Sequence, residues 1–418
     1  MSDDSNKIVA IKAIQKKLLG KKISYREIYT IMDEISHERL SDILTTYFVA
    51  TSFKEGYTTE ELYHFTKAMV ETGNKLEFKG IVADKHSTGG VSGARTTMII
   101  VPIIAAAGFK IPKISSRAIT TPAGTADVME VLAEVNFTPK KVEHIVNTVG
   151  GCVAWNGNLG IAPADDVIIR VEEPLSFESF DKIIISIMAK KIAAGTTHLI
   201  LDIPVGKTMK IRHFSDAENV AKKFKILGEK FKMKVIVDIN DTLEPPGRGV
   251  GPALEARDVL YVLEQKKERP LKLEAKALRL AGKLLDLCYK ETKINKNGEE
   301  EATKILASGV ALAKFKEIIA AQNGNSAVNS SSLKIASNKH EVTVNHSGKI
   351  KDINNYNLNT VAKVLGAPKD KFAGIYLLKK LDERVEKLEP IMILYSEDKF
   401  RLKEAQVTLQ NFPIYELT

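Results

Sequence analysis

The sequence predicts an α/β protein with a helical module before the α/β part and a smaller α+β module after it. Apolar residues recur at helical spacing from residue 7 to 72, strand and helix patterns alternate from 76 to 330, and short alternating runs dominate the rest. Because 418 residues exceed the usual size of one hydrophobic core, two or three domains are expected. The predicted domains are 1–75, 76–330 and 331–418.

The N-terminal module is predicted to contain four helices joined by short links. The first is predicted to have one amphipathic face, which carries Ile8, Ile11, Ile14 and Leu18. Ser24 and Glu27 have the spacing of a capping box at the start of the second helix. Two further helices are expected at about 39–52 and 60–71. Apolar faces left exposed by this module would suit a subunit interface.

The middle of the chain alternates between the two kinds of element. Strand candidates lie at 81–83, 110–114, 151–154, 167–171, 198–203 and 234–238. Helix candidates lie at 96–107, 123–132, 139–149, 181–194, 217–231, 253–264, 269–290 and 299–322. This order predicts a largely parallel or mixed sheet covered by helices.

The last part changes character after a polar linker at 323–332. The run HEVTVNHSGKIKDI alternates like a strand that turns at 346–348. The runs AGIYLLKKL and EPIMILYS are predicted to pair, and a helix is expected at about 358–366. No residue pattern in this module calls for chemistry of its own.

Composition narrows the possible functions. The formal charge is +9, but Lys and Arg are interspersed with Asp and Glu and few aromatic residues accompany them, so nucleic-acid binding is not expected. Cys152 and Cys288 are too far apart in sequence for a metal or redox motif. The polar start MSDDSNK is unlike a secretory signal, and the apolar run 98–109 is too short to cross a bilayer. A cytoplasmic protein without membrane association is expected.

One stretch, residues 84–130, concentrates glycine, hydroxyl and cationic residues. Its three clusters are Lys85 to Gly90, Ser115 to Arg117, and Thr120 to Thr125. Glycine frees backbone amides, and these amides together with hydroxyls and cations bind oxyanions, above all phosphate. Within the clusters, His86 could serve the site or be structural, and Arg117 could grip a phosphate or pair with a carboxylate.

A second candidate constellation is the segment SIMAKK. Ser186 and Lys190 are four residues apart and therefore share one side of a helix. Such a pair can bind a polar ring or supply a proton, although a solvated helix face has the same spacing. On the residues alone, both interpretations stay open.

Several motifs together resemble the thymidine/pyrimidine-nucleoside phosphorylase family. They are DKHSTGG, SSRAITTPAGTAD, APADD, SIMAKK, DIPVG, GPALEARD and the C-terminal GAPKDKFAGIYLLKK. Within the family, SRAIT, GTADVMEVL and DIPVG are most similar to the branch that contains AMP phosphorylases and related thymidine phosphorylases. The resemblance implies a helical domain, completed by about 165–195, that closes over a cleft against a mixed-sheet α/β domain.

The resemblance also implies a reaction and the residues for it. Phosphate displaces the base from C1′ of a pentose, with inorganic phosphate as co-substrate and no cofactor. The implied phosphate-binding positions are Lys85, Ser87, Gly90, Thr97, Ser115 and Thr125. The implied substrate-binding positions are Ser116, Arg117, Ala118, Ile119, Thr120, Thr121, Arg170, Ser186, Lys190 and Lys210. The implied catalytic residues are Glu178, His86 and Lys190.

Two of these positions depart from the family pattern. Glu178 stands where AMP-type members have an aspartate proton donor, and it can do the same acid work with one more methylene of reach. Arg170 is displaced by about one position from an arginine that contacts pyrimidines. AMP-type members also carry an additional N-terminal domain, so a homodimer is expected here rather than a larger assembly.

These departures leave the substrate and even the class open. A nucleoside 5′-monophosphate is the first expectation, with Lys210 on its 5′-phosphate, and a free nucleoside is the alternative. A phosphoribosyltransferase of the anthranilate type would need carboxylates for magnesium-bound diphosphate, and no such pair stands in the glycine loops. A non-catalytic nucleotide-binding protein is the non-enzyme alternative.

Overall fold

The structure is a computed structural model that describes residues 3–51, 56–118, 121–172 and 179–418. In chain order, its helices are α1 (Asp3–Leu18), α2 (Tyr25–Ser36), α3 (Asp42–Ala50), α4 (Thr59–Glu71), α5 (Thr96–Ala106), α6 (Thr125–Met129), α7 (Pro139–Val149), α8 (Pro163–Glu172), α9 (Phe180–Ala193), α10 (Phe214–Lys230), α11 (Pro252–Leu263), α12 (Leu271–Thr292), α13 (Gly298–Ala307), α14 (Val310–Ala321), α15 (Asn355–Leu365) and α16 (Lys399–Asn411). Its strands are β1 (Ala83–Ser87), β2 (Ile111–Ser115), β3 (Gly151–Trp155), β4 (His198–Val205), β5 (Lys234–Asp241), β6 (Gly249–Val250), β7 (Asn338–Thr343), β8 (Gly348–Ile353), β9 (Gly374–Leu377), β10 (Arg384–Val385), β11 (Pro390–Ser396) and β12 (Tyr415–Leu417).

The four N-terminal helices form where local signals predict them. The capping box of Ser24 and Glu27 is present at the start of α2, and Thr58 caps α4 in the same way. The amphipathic face predicted for α1 is buried at Ile14 and exposed at both ends, where Ile8 and Leu18 are 53% and 47% exposed. The helix packs instead through Ile14 and two alanines of the same stripe, whose small side chains allow close approach to α2 and α3.

Two later helices, α8 and α9, pack against the N-terminal bundle. Helix α8 lies against α2 and α3, and α9 lies against α4. The predicted strand at 167–171 is wrong, because these residues belong to α8. Ala164, Val167, Ile168 and Val171 are its buried apolar positions. Their spacing is 3, 4 and 7 residues, which is the period of a helix rather than of a strand.

The central sheet is parallel throughout the strands described. β1, β4 and β5 lie side by side, β2 pairs with β3, and a bridge between Val82 and Lys110 links the two sets. β1 begins later than predicted and includes the motif residues Lys85 to Ser87, because it pairs with β4 from Ala83 opposite His198 to Ser87 opposite Asp202. These motif residues therefore belong to a strand and its end rather than to a turn.

Two of the predicted helices are much longer than the observed ones. The helix expected at 123–132 is limited to α6, five residues long. The helix expected at 299–322 is two helices, α13 and α14, which are separated at Gly309 with φ +80°. A positive φ ends a right-handed helix, and glycine adopts it without steric cost.

The C-terminal part contains two antiparallel sheets around its own apolar cluster. The predicted pairing of β9 with β11 is confirmed. β7 and β8 follow each other in sequence but belong to different sheets, since β7 pairs with β11 and β8 with β10 and β12. The short strand β6 from the middle of the chain joins β9 and ties the two parts together.

Candidate active site

A cleft of about 220 Å³ opens between the carboxyl ends of β1 and β2 and the helices α8 and α9. In open α/β sheets this edge is where ligands bind. The predicted site residues that line the cleft are Lys85, His86, Ser87, Gly90, Thr97, Ser115, Ser116, Arg117, Ala118, Thr121, Thr125, Ser186, Lys190 and Lys210. Residues far apart in sequence thus surround one space.

Lys85 is a buried cation with a strongly lowered pKa at the floor of the cleft. It is 2% exposed, and its Nζ lies 3.4 Å from Oδ2 of Asp202, which stands on β4 two residues beyond the partner of Lys85. Lys276 of α12 lies 3.1 Å from the other oxygen of the same carboxylate. Burial lowers the pKa of Lys85 to about 8, against the opposing effect of Asp202. One carboxylate shared by two buried cations leaves excess positive charge for an anion.

A second layer of cations surrounds Asp84. Lys191 and Lys113 lie 2.5 Å and 3.4 Å from its carboxylate, and Lys113 also donates to the carbonyl of Lys85 at 2.6 Å. Burial lowers the pKa of Lys113 to about 7. Burial and the surrounding lysines hold the pKa of His86 well below its usual range, so its imidazole is neutral at physiological pH.

The glycine turn after β1 forms the edge of the cleft. Gly89 and Gly90 adopt φ values of +87° and +88°, and the amide of Gly89 donates to Oγ of Ser87. A Cβ on Gly90 would lie 3.4 Å from Cγ of Lys210. Glycine is required here both by its backbone conformation and by the close approach of Lys210.

The start of α5 adds hydroxyls and a guanidinium, and the guanidinium was not predicted from the sequence. Thr97 is buried in the first turn of α5, where helix amides lack intrahelical partners. Arg95 precedes the helix, pairs with Glu255 at 2.6 Å and donates to Oγ1 of Thr125 at 3.2 Å. Arg95 therefore links the starts of α5 and α6 across the cleft floor.

The loop after β2 is held by one carboxylate. Oδ2 of Asp127 accepts hydrogen bonds from the amides of Ala118 at 2.7 Å and Gly124 at 2.8 Å. Arg117 forms a two-pronged pair with Glu130 at 2.6 Å and lies over the ring of Trp155. Of the two interpretations of Arg117, the structure shows carboxylate pairing. Ile119 and Thr120, which were also predicted to bind substrate, lie outside the described residues.

The helical side of the cleft joins a polar pair to an apolar wall. Oγ of Ser186 donates to Asp165 at 2.8 Å, and Lys190 lies 2.5 Å from the same carboxylate. Ile183 and Ile187 stand on the same helix and line the cleft. Flat apolar surface beside two oriented polar groups suits a heteroaromatic ring.

Asp166, the neighbour of Asp165 on α8, is a further acid close to the cleft. Its carboxylate accepts a hydrogen bond from Asn156, a residue that lines the cleft. Burial raises the pKa of Asp166 to about 6. The motif APADD contains both carboxylates, and neither was predicted from the sequence to have a role.

Besides Ile119 and Thr120, two further predicted residues are not placed in the cleft. Arg170 lies on the outer face of α8, half exposed, with Glu38 at 3.2 Å and Asp42 at 3.3 Å. It stands two residues after the buried Ile168, which is more than half a turn around the helix and so places it on the outer face. Glu178, the predicted acid, lies outside the described residues.

The buried ion pairs under the cleft were not predicted from the sequence. They involve Asp84, Arg95, Lys113, Asp165, Lys191, Asp202, Glu255 and Lys276. Charged residues inside apolar strand and helix patterns, such as Lys113 in IPKIS, were the available signal, since charges are rarely buried without a partner.

Membrane-spanning and metal-binding features are both missing from the part of the chain that the structure describes. Among residues 3–51, 56–118, 121–172 and 179–418, no helix is long and apolar enough to span a bilayer. Over the same ranges, no group of three or more His, Cys, Asp or Glu residues is arranged to hold a metal ion.

Three family models match successive parts of the chain. The helical bundle domain of the glycosyl transferase family matches residues 11–73, its a/b domain matches 79–312, and the pyrimidine nucleoside phosphorylase C-terminal domain matches 349–414. Anthranilate phosphoribosyltransferase from Thermus thermophilus superposes with a TM-score of 0.63 at 17% identity, over 75% of this chain and 99% of that one. The fold is therefore that of the glycosyl transferase family.

Curated relatives narrow the class. AMP phosphorylase 1 of Archaeoglobus fulgidus is 41% identical over 96% of this chain and 79% of its own length. AMP phosphorylase of Thermofilum pendens is 41% identical over 96% and 77%. The "Putative thymidine phosphorylase" of Bradyrhizobium diazoefficiens is 42% identical over 93% and 75%. The chain belongs to the nucleoside phosphorylase branch of this glycosyltransferase family and is an enzyme.

Proposed function

We propose that the enzyme catalyses reversible phosphorolysis of a nucleoside 5′-monophosphate of the AMP type, giving a free base and ribose 1,5-bisphosphate. The observation that carries this proposal is that one cleft has two separate cationic borders. Lys85 stands at its floor, and Lys210 stands at its glycine edge. A reaction between inorganic phosphate and a nucleotide brings two phosphoryl groups to one site, and each needs its own donors.

In this proposal the attacking phosphate binds to Lys85, Ser87, Thr97, Ser115 and Thr125. An oxygen of this phosphate forms a bond to C1′ while the bond from C1′ to the base nitrogen breaks, with its electron pair going to the base. The transition state has positive charge on the sugar, which the phosphate dianion stabilises, and negative charge on the base. Burial of Lys85 strengthens its attraction for the nucleophile, because few waters screen it.

The base is proposed to lie against α9. Its ring would contact Ile183 and Ile187, while Ser186 and Lys190 would hydrogen-bond its polar edge. Asp165 holds both of these side chains and so orients them. Glu178 is the proposed donor of the proton that the departing base receives, with His86 and Lys190 beside the leaving group.

The competing substrate is a free nucleoside such as thymidine. The nucleotide is favoured because Lys210 lies close to the glycine turn, where a Cβ on Gly90 would be 3.4 Å from its Cγ. A cation therefore stands at the same edge of the cleft as this turn. The test is an assay with inorganic phosphate and, separately, AMP, CMP, UMP, thymidine and uridine. We expect base release from a monophosphate. Release only from free nucleosides would overturn the nucleotide assignment, and dependence on magnesium and phosphoribosyl diphosphate would overturn phosphorolysis.

We further propose that the enzyme is a cytoplasmic homodimer that pairs through the helical part. Large apolar side chains are exposed there, including Leu19 at 74%, Ile43 at 70% and Tyr47 at 55%. Exposed apolar residues on neighbouring helices are typical of a symmetric interface. Light scattering of the purified protein tests this proposal, and a monomer mass at micromolar concentration would contradict it.

A further inference from the structure

The glycine turn of the cleft is held from outside by the C-terminal part of the chain. Asn355, the first residue of α15, is 1% exposed. Its Nδ2 donates to the carbonyl of Gly90 at 2.6 Å, and its Oδ1 accepts from the amide of Ser92 at 3.0 Å. One side-chain amide thus satisfies two backbone groups of a turn that lies far earlier in the chain.

This contact determines which way one peptide group faces. In a trans peptide, the carbonyl and the following N–H point in opposite directions. Because the carbonyl of Gly90 points to Asn355, the N–H of Val91 points away from Asn355. Val91 and Gly90 line the cleft, whereas Asn355 does not. In the described part of the chain, the Val91 amide has no protein acceptor.

The C-terminal part of the chain makes further contacts with the loops that border the cleft. Ser92 donates through Oγ to Asn359, one turn further along α15. Lys371 pairs with Glu130, and its Nζ lies 3.6 Å from Asp127, the carboxylate that holds the loop after β2. The C-terminal part therefore contacts both anion-binding loops, although it contributes no side chain to the lining of the cleft among the residues described.

We propose that Asn355 is a positioning residue that turns the Val91 amide into the cleft, where this amide and Lys210 bind a phosphoryl group. The inference rests on the proposed phosphorolysis and deepens it, because it assigns the C-terminal part a role in phosphoryl binding. The phosphoryl group belongs either to the nucleotide or to the inorganic phosphate. Both are tetrahedral dianions that accept hydrogen bonds from backbone amides.

The informative variant is Asn355→Asp. It keeps the size of the side chain and an acceptor for the amide of Ser92, but it places a carboxylate oxygen against the carbonyl of Gly90. The peptide is expected to turn over, so that the Val91 amide donates to the carboxylate and leaves the cleft. Loss of one hydrogen bond to a charged group corresponds to an increase of about tenfold or more in KM.

The matched control is Asn357→Asp on the same helix. The Nδ2 of Asn357 donates to the carbonyl of Pro413 at 2.7 Å, away from the cleft. We expect Asn355→Asp to raise the KM for one phosphoryl substrate with a smaller change in kcat, and Asn357→Asp to leave both constants within about twofold. An effect confined to the AMP-type substrate assigns the nucleotide phosphate, and one confined to inorganic phosphate assigns the nucleophile.

Two results would overturn the inference. One is an unchanged KM for both substrates in a folded Asn355→Asp protein, and the other is an equal rise in both variants. If circular dichroism shows that Asn355→Asp does not fold, Asn359→Ala decides, with a rise of about threefold expected and no change contradicting the inference. If the wild-type enzyme turns over no nucleotide or nucleoside, the proposed function fails. Calorimetric titration of AMP and of phosphate into the wild-type and Asn355→Asp proteins then tests the inference by itself.

Discussion

The two walls of the cleft hold their polar groups in different ways. On the sheet side, Lys85 and Lys113 are each at most 4% exposed and pair with carboxylates on neighbouring strands, and Lys191 of α9 adds a further cation to Asp84. On the helical side, Ser186 and Lys190 depend on one carboxylate, Asp165, which belongs to a different helix. Parallel strands keep neighbouring side chains in register through backbone pairing, whereas α8 and α9 are joined through side chains, Asp165 with Ser186 and Lys190 and Glu172 with Lys182.

This difference suggests that the two walls bind different substrates. The sheet wall is organised before any ligand arrives, which suits binding of a small, highly charged nucleophile whose position must be accurate. The helical wall places two oriented polar groups beside Ile183 and Ile187, which suits binding of the larger substrate. Substitutions in the two walls should therefore affect different kinetic constants.

The largest effect is expected at the sheet wall. Lys85→Ala removes a buried cation and should raise the KM for phosphate by about 100-fold, in line with the strength of charge-assisted contacts. The KM for the nucleoside or nucleotide should change much less. Initial rates at varied phosphate and fixed nucleotide measure this. Unchanged phosphate dependence would contradict the assignment of Lys85 to the nucleophile.

A smaller effect, on the nucleotide rather than on phosphate, is expected at the helical wall. Asp165→Asn weakens the hold on Lys190 and Ser186, so kcat/KM for the nucleotide should fall by about 10- to 30-fold. The KM for phosphate should remain within about twofold, because Asp165 has no contact with the sheet-wall cations in the described part of the chain. Equal losses for both substrates would mean that the two walls do not act separately.

The pH profile gives a further test of the sheet wall. The pKa of Lys85 is about 8, so kcat/KM for phosphate should fall about tenfold per pH unit above 8, while inorganic phosphate stays a dianion. Unfolding would not explain this fall. Between pH 8 and the ordinary pKa of 10.5, the unfolded chain binds more protons at this lysine, so the stability from this group rises with pH. A constant kcat/KM between about pH 8 and 9.5 would contradict the prediction.

The smallest effect is expected outside both walls. Arg170→Ala removes a half-exposed ion pair with Glu38 and Asp42. Such pairs contribute about 0–1 kcal/mol to the free energy of unfolding, and kcat/KM should change by less than about twofold. Steady-state kinetics and urea denaturation measure both quantities. A large rise in the KM for a pyrimidine substrate would restore the role in base recognition that the sequence suggested.

Local patterns in the sequence were sufficient for much of the fold. The capping residues Ser24 and Thr58 mark helix starts, Gly150 with φ +88° ends α7 at the predicted place, and β9 pairs with β11 as expected. The prediction failed where one pattern permits two structures. The run VIIRV has high strand propensity, but its buried positions follow a helical period that appears only when Ala164 is included.

The set of donors and their grouping along the chain could be predicted from the sequence alone. Glycines, hydroxyls and cations in residues 84–130 predicted an oxyanion site because this combination of donors is typical of anion binding. Only the tertiary structure decided how each donor is held. Asp202 shared by Lys85 and Lys276, Asp127 under the loop after β2, and Asn355 behind Gly90 are contacts across more than one element. A local pattern carries no information about such partners, since strand register and domain packing bring them together.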